Sequence, residues 1–348
     1  MTALTNALKT NRIAHAYLFS GPRGVGKTTT ARLIAKALNC VGKERPCNVC
    51  SACEAFNQGR SFNLIEVDAA SNRGINEIRE LRDSVRFVPA EGKYKVYIID
   101  ETHQLTKEAF NALLKTLEEP PAHAVFILAT TEFDKVPATI ISRTQHYDFR
   151  RPNVKQISER LQFIAKKEGI KLVADGAHLL ALAAEGSMRD AESMLGQVMA
   201  VEDKEISRVE IENILGLPRR EAAKKMFELV AKKDAPPALA LIQELADAGY
   251  DLTYFSKLLL SYFRNALFLQ TDPALKKFVE EEMLPDEYEC LSANLTAFGP
   301  QDLSRGLNII FQNMLTFKKS PLPQLPLEIT VIELIKSMEN PVKDIKLL

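Results

Sequence analysis

Residues 21–28 read GPRGVGKT, a Gly-x4-Gly-Lys-Thr run between the apolar stretch HAYLFS (15–20) and a helix-patterned segment from Lys27 to Asn39. No other feature restricts the fold as strongly. Glycines at these positions let the backbone curl until its N–H groups point inward at a phosphate, and the helix that follows adds its positive end. A loop of this kind works only between a buried strand and a helix, and both flanks are present. Gly21, Pro22, Arg23, Gly24, Val25, Gly26, Lys27, Thr28 and Thr29 are therefore the candidate nucleotide-binding residues. Lys27 is expected to reach the β- and γ-phosphates, and the Thr28 hydroxyl to ligate Mg²⁺.

The pattern around this loop agrees. Strand-like runs at 15–20, 63–67, 94–99 and 124–129 alternate with helical ones at 27–39, 75–86 and 107–117. That order predicts a parallel sheet covered on both faces. After Arg151-Pro152 the strand signal stops, and helices are expected at 153–167, 175–184, 187–200 and 207–215. Residues 1–11 are also patterned like a helix. Gly216 reads as a C-cap and Pro218 as the opening of the next helix; helices continue to about Met338. The expected organisation is an α/β P-loop domain over 1–152 with a cysteine module at 40–53, a small helical domain over 153–217, and an all-α domain over 218–348.

A P-loop needs carboxylates across the phosphates. VYIIDETH (97–103 for its last seven residues) ends a buried strand with Asp100, placed for Mg²⁺, and Glu101, placed to polarise a water. LATTE (128–132) ends the next strand, and Thr131 is the candidate γ-phosphate sensor; threonines after a strand otherwise form turns.

Four of five cysteines fall within fourteen residues, Cys40-x6-Cys47-x2-Cys50-x2-Cys53. Four thiolates suit tetrahedral Zn²⁺ and leave it no open position, so a structural zinc site is expected. A redox pair, disulfides or an iron–sulfur cluster are the other readings. Cys290 stands apart and reads as a small buried hydrophobe.

Composition narrows the function classes. The 348 residues carry 45 basic and 45 acidic side chains, a formal net charge of zero, so nucleic acid would have to be met by a local patch. There is no run of eighteen apolar residues and no N-terminal leader pattern, which leads us to expect a cytoplasmic protein without a membrane contact. Arg73, Arg79, Arg82 and Arg86 lie on or near one helix, but Glu77, Glu80 and Asp83 are interleaved, the pattern of a solvated face.

In this order, HAYLFSGPRGVGKTTTARLIAKALNC, the four cysteines, VYIIDETH, NALLKTLEEPP, LATTE and ISRT resemble the bacterial DNA polymerase III tau/gamma family, the AAA+ ATPases of the sliding-clamp loader. The resemblance runs over nearly the whole chain. It implies ATP, Mg²⁺ and structural Zn²⁺ as cofactors. It implies a five-subunit assembly with further copies of the chain, delta and delta-prime, which opens the beta clamp and closes it on primer–template DNA. It implies that Arg143, in Ser142-Arg143, reaches the ATP of a neighbouring subunit; taken alone, that arginine would be read as pairing with an acid such as Asp148. It implies that Arg189, in GSMRD, contacts phosphate in cis, and that Arg73 and Arg79 contact DNA phosphates. The 218–348 region becomes the collar that holds subunits together. Two departures stand out: Thr144 where the family has cysteine, and the lack of about twenty residues before Thr2 that complete the family's adenine pocket. A helicase-like AAA+ motor and a non-hydrolysing subunit like delta-prime are the rival readings. The first lacks an evident translocation element, and the intact Lys27, Thr28, Asp100 and Glu101 argue against the second.

Overall fold

A computed structural model of the chain describes residues 2–10, 12–89, 92–201, 205–283 and 285–339. Met1, Asn11 and residues 340–348, the ends of the first expected helix and of the third expected domain, lie outside the described residues. The chain divides into two compact units, 1–199 and 200–348.

The first unit is built on a parallel sheet. Its strands are β1 (Ala16–Ser20), β2 (Leu64–Asp68), β3 (Lys95–Asp100), β4 (Ala124–Thr130) and β5 (Gln145–Asp148), in the spatial order β2-β3-β4-β1-β5. β4 pairs with β3 and β1, and all seven of its residues are buried. Alternate side chains go to opposite faces. Tyr97 and Ile99 join Leu18, Phe126 and Leu128 on the face covered by α4 (Ile75–Ser84) and α5 (Lys107–Glu118). Val96 and Ile98 join Phe19, Ile127 and Ala129 on the other face, against Leu4 of α1 (Thr2–Lys9) and Ala31, Ile34 and Leu38 of α2 (Lys27–Asn39). Burying a side chain of this size contributes about 1.5–3 kcal/mol, so the doubly covered centre anchors the strand ends that carry the site.

Chain order and spatial order diverge at β1, from which the chain first runs out to β2 and later returns past β1 to β5. Ligands of open α/β sheets bind beyond the carboxyl ends of strands at such a reversal. The loops after β1, β3 and β4 all open there.

The strand β5 is an addition to the sequence reading. QHYD is polar and mostly exposed because it forms a sheet edge, which erases the apolar signal. The helix α3 (Ser51–Asn57), inside the cysteine module, is a second addition. Beyond the sheet lie α6 (Ala138–Ile141), α7 (Val154–Lys167), α8 (Ala174–Ala183) and α9 (Met188–Met199). Asn153 and Gln156 start α7 with reciprocal side-chain caps.

The second unit is helical where described: α10 (Arg208–Leu215), α11 (Arg220–Ala231), α12 (Ala235–Asp247), α13 (Leu252–Thr271), α14 (Lys276–Glu282), α15 (Pro285–Asn294), α16 (Pro300–Met314) and α17 (Leu325–Glu339), besides short 3-10 turns and the two-residue strand Glu205–Ile206. Gly216 caps α10 with φ 61°. Pro218 does not open the next helix: α11 begins at Arg220 with Arg219 as its cap, two residues later than the proline suggested. The core gathers Phe227, Phe255, Tyr262, Phe263 and Phe298, with Phe227 stacked on Phe298 at 5.0 Å. Gly306 lets α16 approach α13, since a Cβ there would stand 2.6 Å from the Phe263 ring. Cys290 is buried in this unit, as expected, its thiol donating to Glu228 Oε1 at 3.0 Å and pushed up to about 12 by burial.

Candidate nucleotide site and cysteine centre

The P-loop leaves β1 at Gly21 (φ +137°) and enters α2 through Gly26, whose φ of 94° a side chain would strain. Several of its carbonyls are already occupied. Lys27 Nζ donates to the oxygens of Gly21 and Pro22 at 2.7 and 2.8 Å. The Gly24 oxygen accepts the amides of Met188 and Arg189 at 3.0 and 3.4 Å. What the loop can offer a ligand is therefore its N–H groups, as an anion requires. Lys27 is buried, and burial lowers its pKa while Glu101 and Asp100 act the other way.

The tip of β3 closes on the same helix. Thr28 Oγ1 donates to Asp100 Oδ2 at 2.6 Å. The structure thus brings Thr28 to Asp100, with Lys27 before the one and Glu101 after the other in the chain. Glu101 sits in the left-handed region (φ 47°), with its amide donating to Asp100 Oδ1 at 2.9 Å. Its carboxylate accepts from the Thr131 hydroxyl at 3.0 Å. Thr131, expected to face phosphate, here faces the glutamate.

One residue that sequence reasoning passed over lies between these groups. His103, with only 4% of its side chain exposed, has Nδ1 3.0 Å from Thr130 Oγ1 and 3.5 Å from Glu101 Oε2, and Nε2 3.1 Å from Glu132 Oε1. Its place two residues after a strand-end carboxylate was the available signal, but the contacts cross from β3 to β4.

The remaining candidates are spread out. Arg189 opens α9 with an exposed side chain, and its amide touches the P-loop at Gly24. Ser187 caps that helix, its Oγ accepting the Asp190 amide at 3.2 Å. Arg143 does not pair with Asp148. Its Nε and Nη2 donate to Glu118 Oε1 at 3.0 and 2.7 Å, and its Nη1 to Thr139 O and Ser142 Oγ. Asp148 is taken by Ser20, at 3.3 Å. Arg73 and Arg79 are exposed, and Arg73 Nε donates to Ala70 O at 3.0 Å.

At the far end of α2, Cys40 is the C-cap, Cys50 the N-cap of α3, and Cys53 lies within α3. With Cys47 they place four sulfurs within 4.8 Å of one another, the Cys47–Cys53 and Cys40–Cys50 pairs at 4.0 Å. A tetrahedron of thiolates ~2.3 Å from one ion has edges near 3.8 Å, so the set fits a single metal. Disulfides are absent among the described residues, where all five cysteines are free. The amides of Gly42 and Cys47 donate to Cys40 Sγ, both at 3.3 Å, a pairing suited to a thiolate. The Cys53 and Val41 amides hold the Cys50 thiol down to about 6, whereas burial pushes Cys53 up to about 12. Lys36, buried on α2, donates to Asn48 Oδ1 and, at 2.6 Å, to Asn57 Oδ1, tying the cysteine loop and α3 to the helix.

Comparison with known proteins covers the chain in three pieces. Residues 1–153 match the model for the DNA polymerase III delta subunit, 156–204 that for the ATPase lid domain of the DNA polymerase III clamp loader subunit, and 206–348 that for domain III of DNA polymerase III subunits gamma and tau. The chain is 38% identical over 344 residues to DNA polymerase III subunit tau of Bacillus subtilis, covering 98% of this chain and 61% of that protein. It is 43% identical over 276 residues to the subunit tau of Escherichia coli, covering 79% of this chain and 43% of that protein. The chain thus spans about half the length of these curated relatives. Among solved structures, the Bacillus subtilis clamp loader delta protein aligns over 96% of this chain and 99% of its own at 15% identity and TM-score 0.41, too loose a likeness to bear on function. Among the described residues no helix is long and apolar enough to cross a membrane.

Proposed function

The chain belongs to the DNA polymerase III tau/gamma family, and from that premise we propose that it is an ATP-driven motor subunit of a sliding-clamp loader. The observation that carries the proposal is the 2.6 Å bond from Thr28 to Asp100, which puts the P-loop helix against the strand end bearing Glu101. In this reading Gly21 to Thr29 hold the ATP phosphates, and Lys27 leaves the loop carbonyls for the phosphate oxygens. Thr28 and Asp100 would hold Mg²⁺, which neutralises phosphate charge when bound. Glu101 takes the proton of the attacking water. Thr131 restrains Glu101 in the free chain and senses the γ-phosphate when nucleotide arrives. Arg189, on the helix whose start rests on the P-loop, contacts phosphate from the 153–217 lid.

Arg143 acts in trans. A guanidinium stays charged and presents a fork of donors to phosphate oxygens. Glu118 holds it in the free chain, so engaging a neighbour's ATP means exchanging that carboxylate for phosphate. The 218–348 domain supplies the collar contacts among copies of this chain, delta and delta-prime. The beta clamp and primer–template DNA are the objects of the cycle, with Arg73 and Arg79 on DNA phosphates. Cys40, Cys47, Cys50 and Cys53 would hold structural Zn²⁺, which cross-links the loop when bound. One equivalent of zinc, and no iron, in freshly purified reduced protein is the expected analysis.

Complementation tests the motor reading. Lys27→Ala should abolish ATP binding, and Arg143→Ala should keep binding while lowering hydrolysis in the assembled loader by ~10³-fold. Mixed rings of the two variants should regain activity across the one interface where an intact site meets an intact arginine. Mixed rings that form and stay inactive would remove Arg143 from the role. Normal ATP affinity in Lys27→Ala would remove the P-loop assignment, and no hydrolysis by the wild-type ring would favour the non-hydrolysing alternative.

A further inference from the structure

We propose that His103 is a positioning residue for ATP hydrolysis: its buried ring clamps the Glu101 carboxylate to the tip of β4 and links it to the segment that leads to Arg143. The inference rests on the reading of Glu101 as the water-activating base.

The geometry is specific. Nδ1 faces Thr130 Oγ1 at 3.0 Å and Glu101 Oε2 at 3.5 Å, and Nε2 faces Glu132 Oε1 at 3.1 Å. One ring edge thus touches Glu101, just past β3, and Thr130, the last residue of β4, and the other touches Glu132, two residues beyond β4. Thr130 is itself fully buried, and its Oγ1 accepts the Glu132 amide at 3.0 Å. A ring hydrogen on each nitrogen matches these oxygens: Nδ1–H lies between Thr130 Oγ1 and Glu101 Oε2, and Nε2–H faces Glu132 Oε1. The Gln104 side-chain amide lies on the remaining side, 2.9 Å from Nε2.

A buried imidazole at the end of a sheet could be merely a satisfied core group. Two observations separate it from that. Its polar contacts include the glutamate of the candidate site and the residue preceding the candidate sensor. And Glu132 continues the chain of contacts, its Oε2 pairing with Lys135 Nζ at 2.8 Å in the short turn (Phe133–Lys135) that runs on to α6 and Arg143. Glu101 is about a third exposed, and its Oε2 meets both Thr131 and His103. Removing the ring frees the carboxylate to rotate away from the water it must meet, and a base misplaced by about 1 Å costs on the order of 10²-fold. Binding of ATP, made by the P-loop, does not depend on the ring.

The test uses the full chain in its assembled loader. Kd for ATP, kcat and KM are measured for His103→Ala, His103→Asn, Glu132→Ala and Glu101→Gln, with thermal melts to confirm folding. His103→Ala should lower kcat roughly 10- to 100-fold with Kd unchanged within about twofold. His103→Asn, whose amide reaches the Nδ1 position, should recover part of that loss, and Glu132→Ala should lose less than His103→Ala. If Glu101→Gln is inactive but folded His103→Ala and His103→Asn both turn over normally, the inference is overturned while the Glu101 reading stands. If Glu101→Gln hydrolyses normally, both fall. If His103→Ala does not fold, His103→Asn decides: a normal kcat overturns the inference, and a lowered kcat at unchanged Kd supports it.

Discussion

The two ends of α2 solve different problems with the same helix. At its start, backbone does the work: Gly21, Gly24 and Gly26 hold positive φ, the Gly21, Pro22 and Gly24 carbonyls are occupied internally, and N–H groups are what the loop offers a ligand. At its end, side chains do the work: Cys40 caps the helix and joins three further thiols in a set compact enough for one ion. In the proposed reading the first end exchanges partners, because Lys27 and Thr28 are bonded to groups that a nucleotide would replace. The second has its donors gathered on one point with no room for substrate chemistry. Between them, Lys36 reaches from the helix to Asn48 and Asn57.

If the two ends are separate in function, their variants should sort cleanly. The largest effect belongs to the catalytic side. Glu101→Gln should retain ATP binding and lose hydrolysis by about 10²–10⁴-fold, because an amide cannot take the proton; steady-state turnover alongside a nucleotide titration reads both. The cysteine end comes next. Cys53→Ser should remove bound zinc from the chain by metal analysis and lower its melting temperature, while ATP affinity shifts by about twofold or less, as for sites that do not share partners. A collapse of ATP affinity in that variant would mean that the helix transmits the state of one end to the other.

Two smaller changes sharpen the boundary. At Gly24 (φ +77°) a Cβ would stand 2.0 Å from Ser187 Oγ, so Gly24→Ala strains both the loop and its contact with the cap of α9. The expected cost is about 1–3 kcal/mol in a denaturation curve, with weaker nucleotide binding and unchanged metal content. Lys36→Met leaves Asn48 and Asn57 without their shared donor. It should cost about 1–3 kcal/mol at most, and zinc should become easier for a chelator to remove. Unchanged chelation kinetics would show that the cysteines alone hold the module.

Legibility in the sequence followed locality. The P-loop and the cysteine cluster were readable because each is a single short segment whose spacing already states its geometry. Asp100 and Glu101 were readable because a run of buried residues, Val96 to Ile99, announces the strand they end. The edge strand β5 was not, because an exposed edge carries no apolar run. His103 was passed over since its meaning lies in residues 27 and 29 positions away, Thr130 and Glu132. Arg143 was expected to face Asp148 if it paired within the chain, and it pairs with Glu118, 25 positions back, because α5 and α6 lie together on one face of the sheet.

What the sequence determined by itself is the chemistry available: a phosphate loop, a strand-end acid pair and a four-thiol cluster, all set by backbone requirements that act within a few residues. What only the tertiary structure decided is which of these groups touch. The strand order β2-β3-β4-β1-β5 seats β4 between β1 and β3, and so brings Thr130, Thr131 and Glu132 against Glu101 and His103. No local rule encodes that order; it follows from how the whole chain buries the two faces of one sheet.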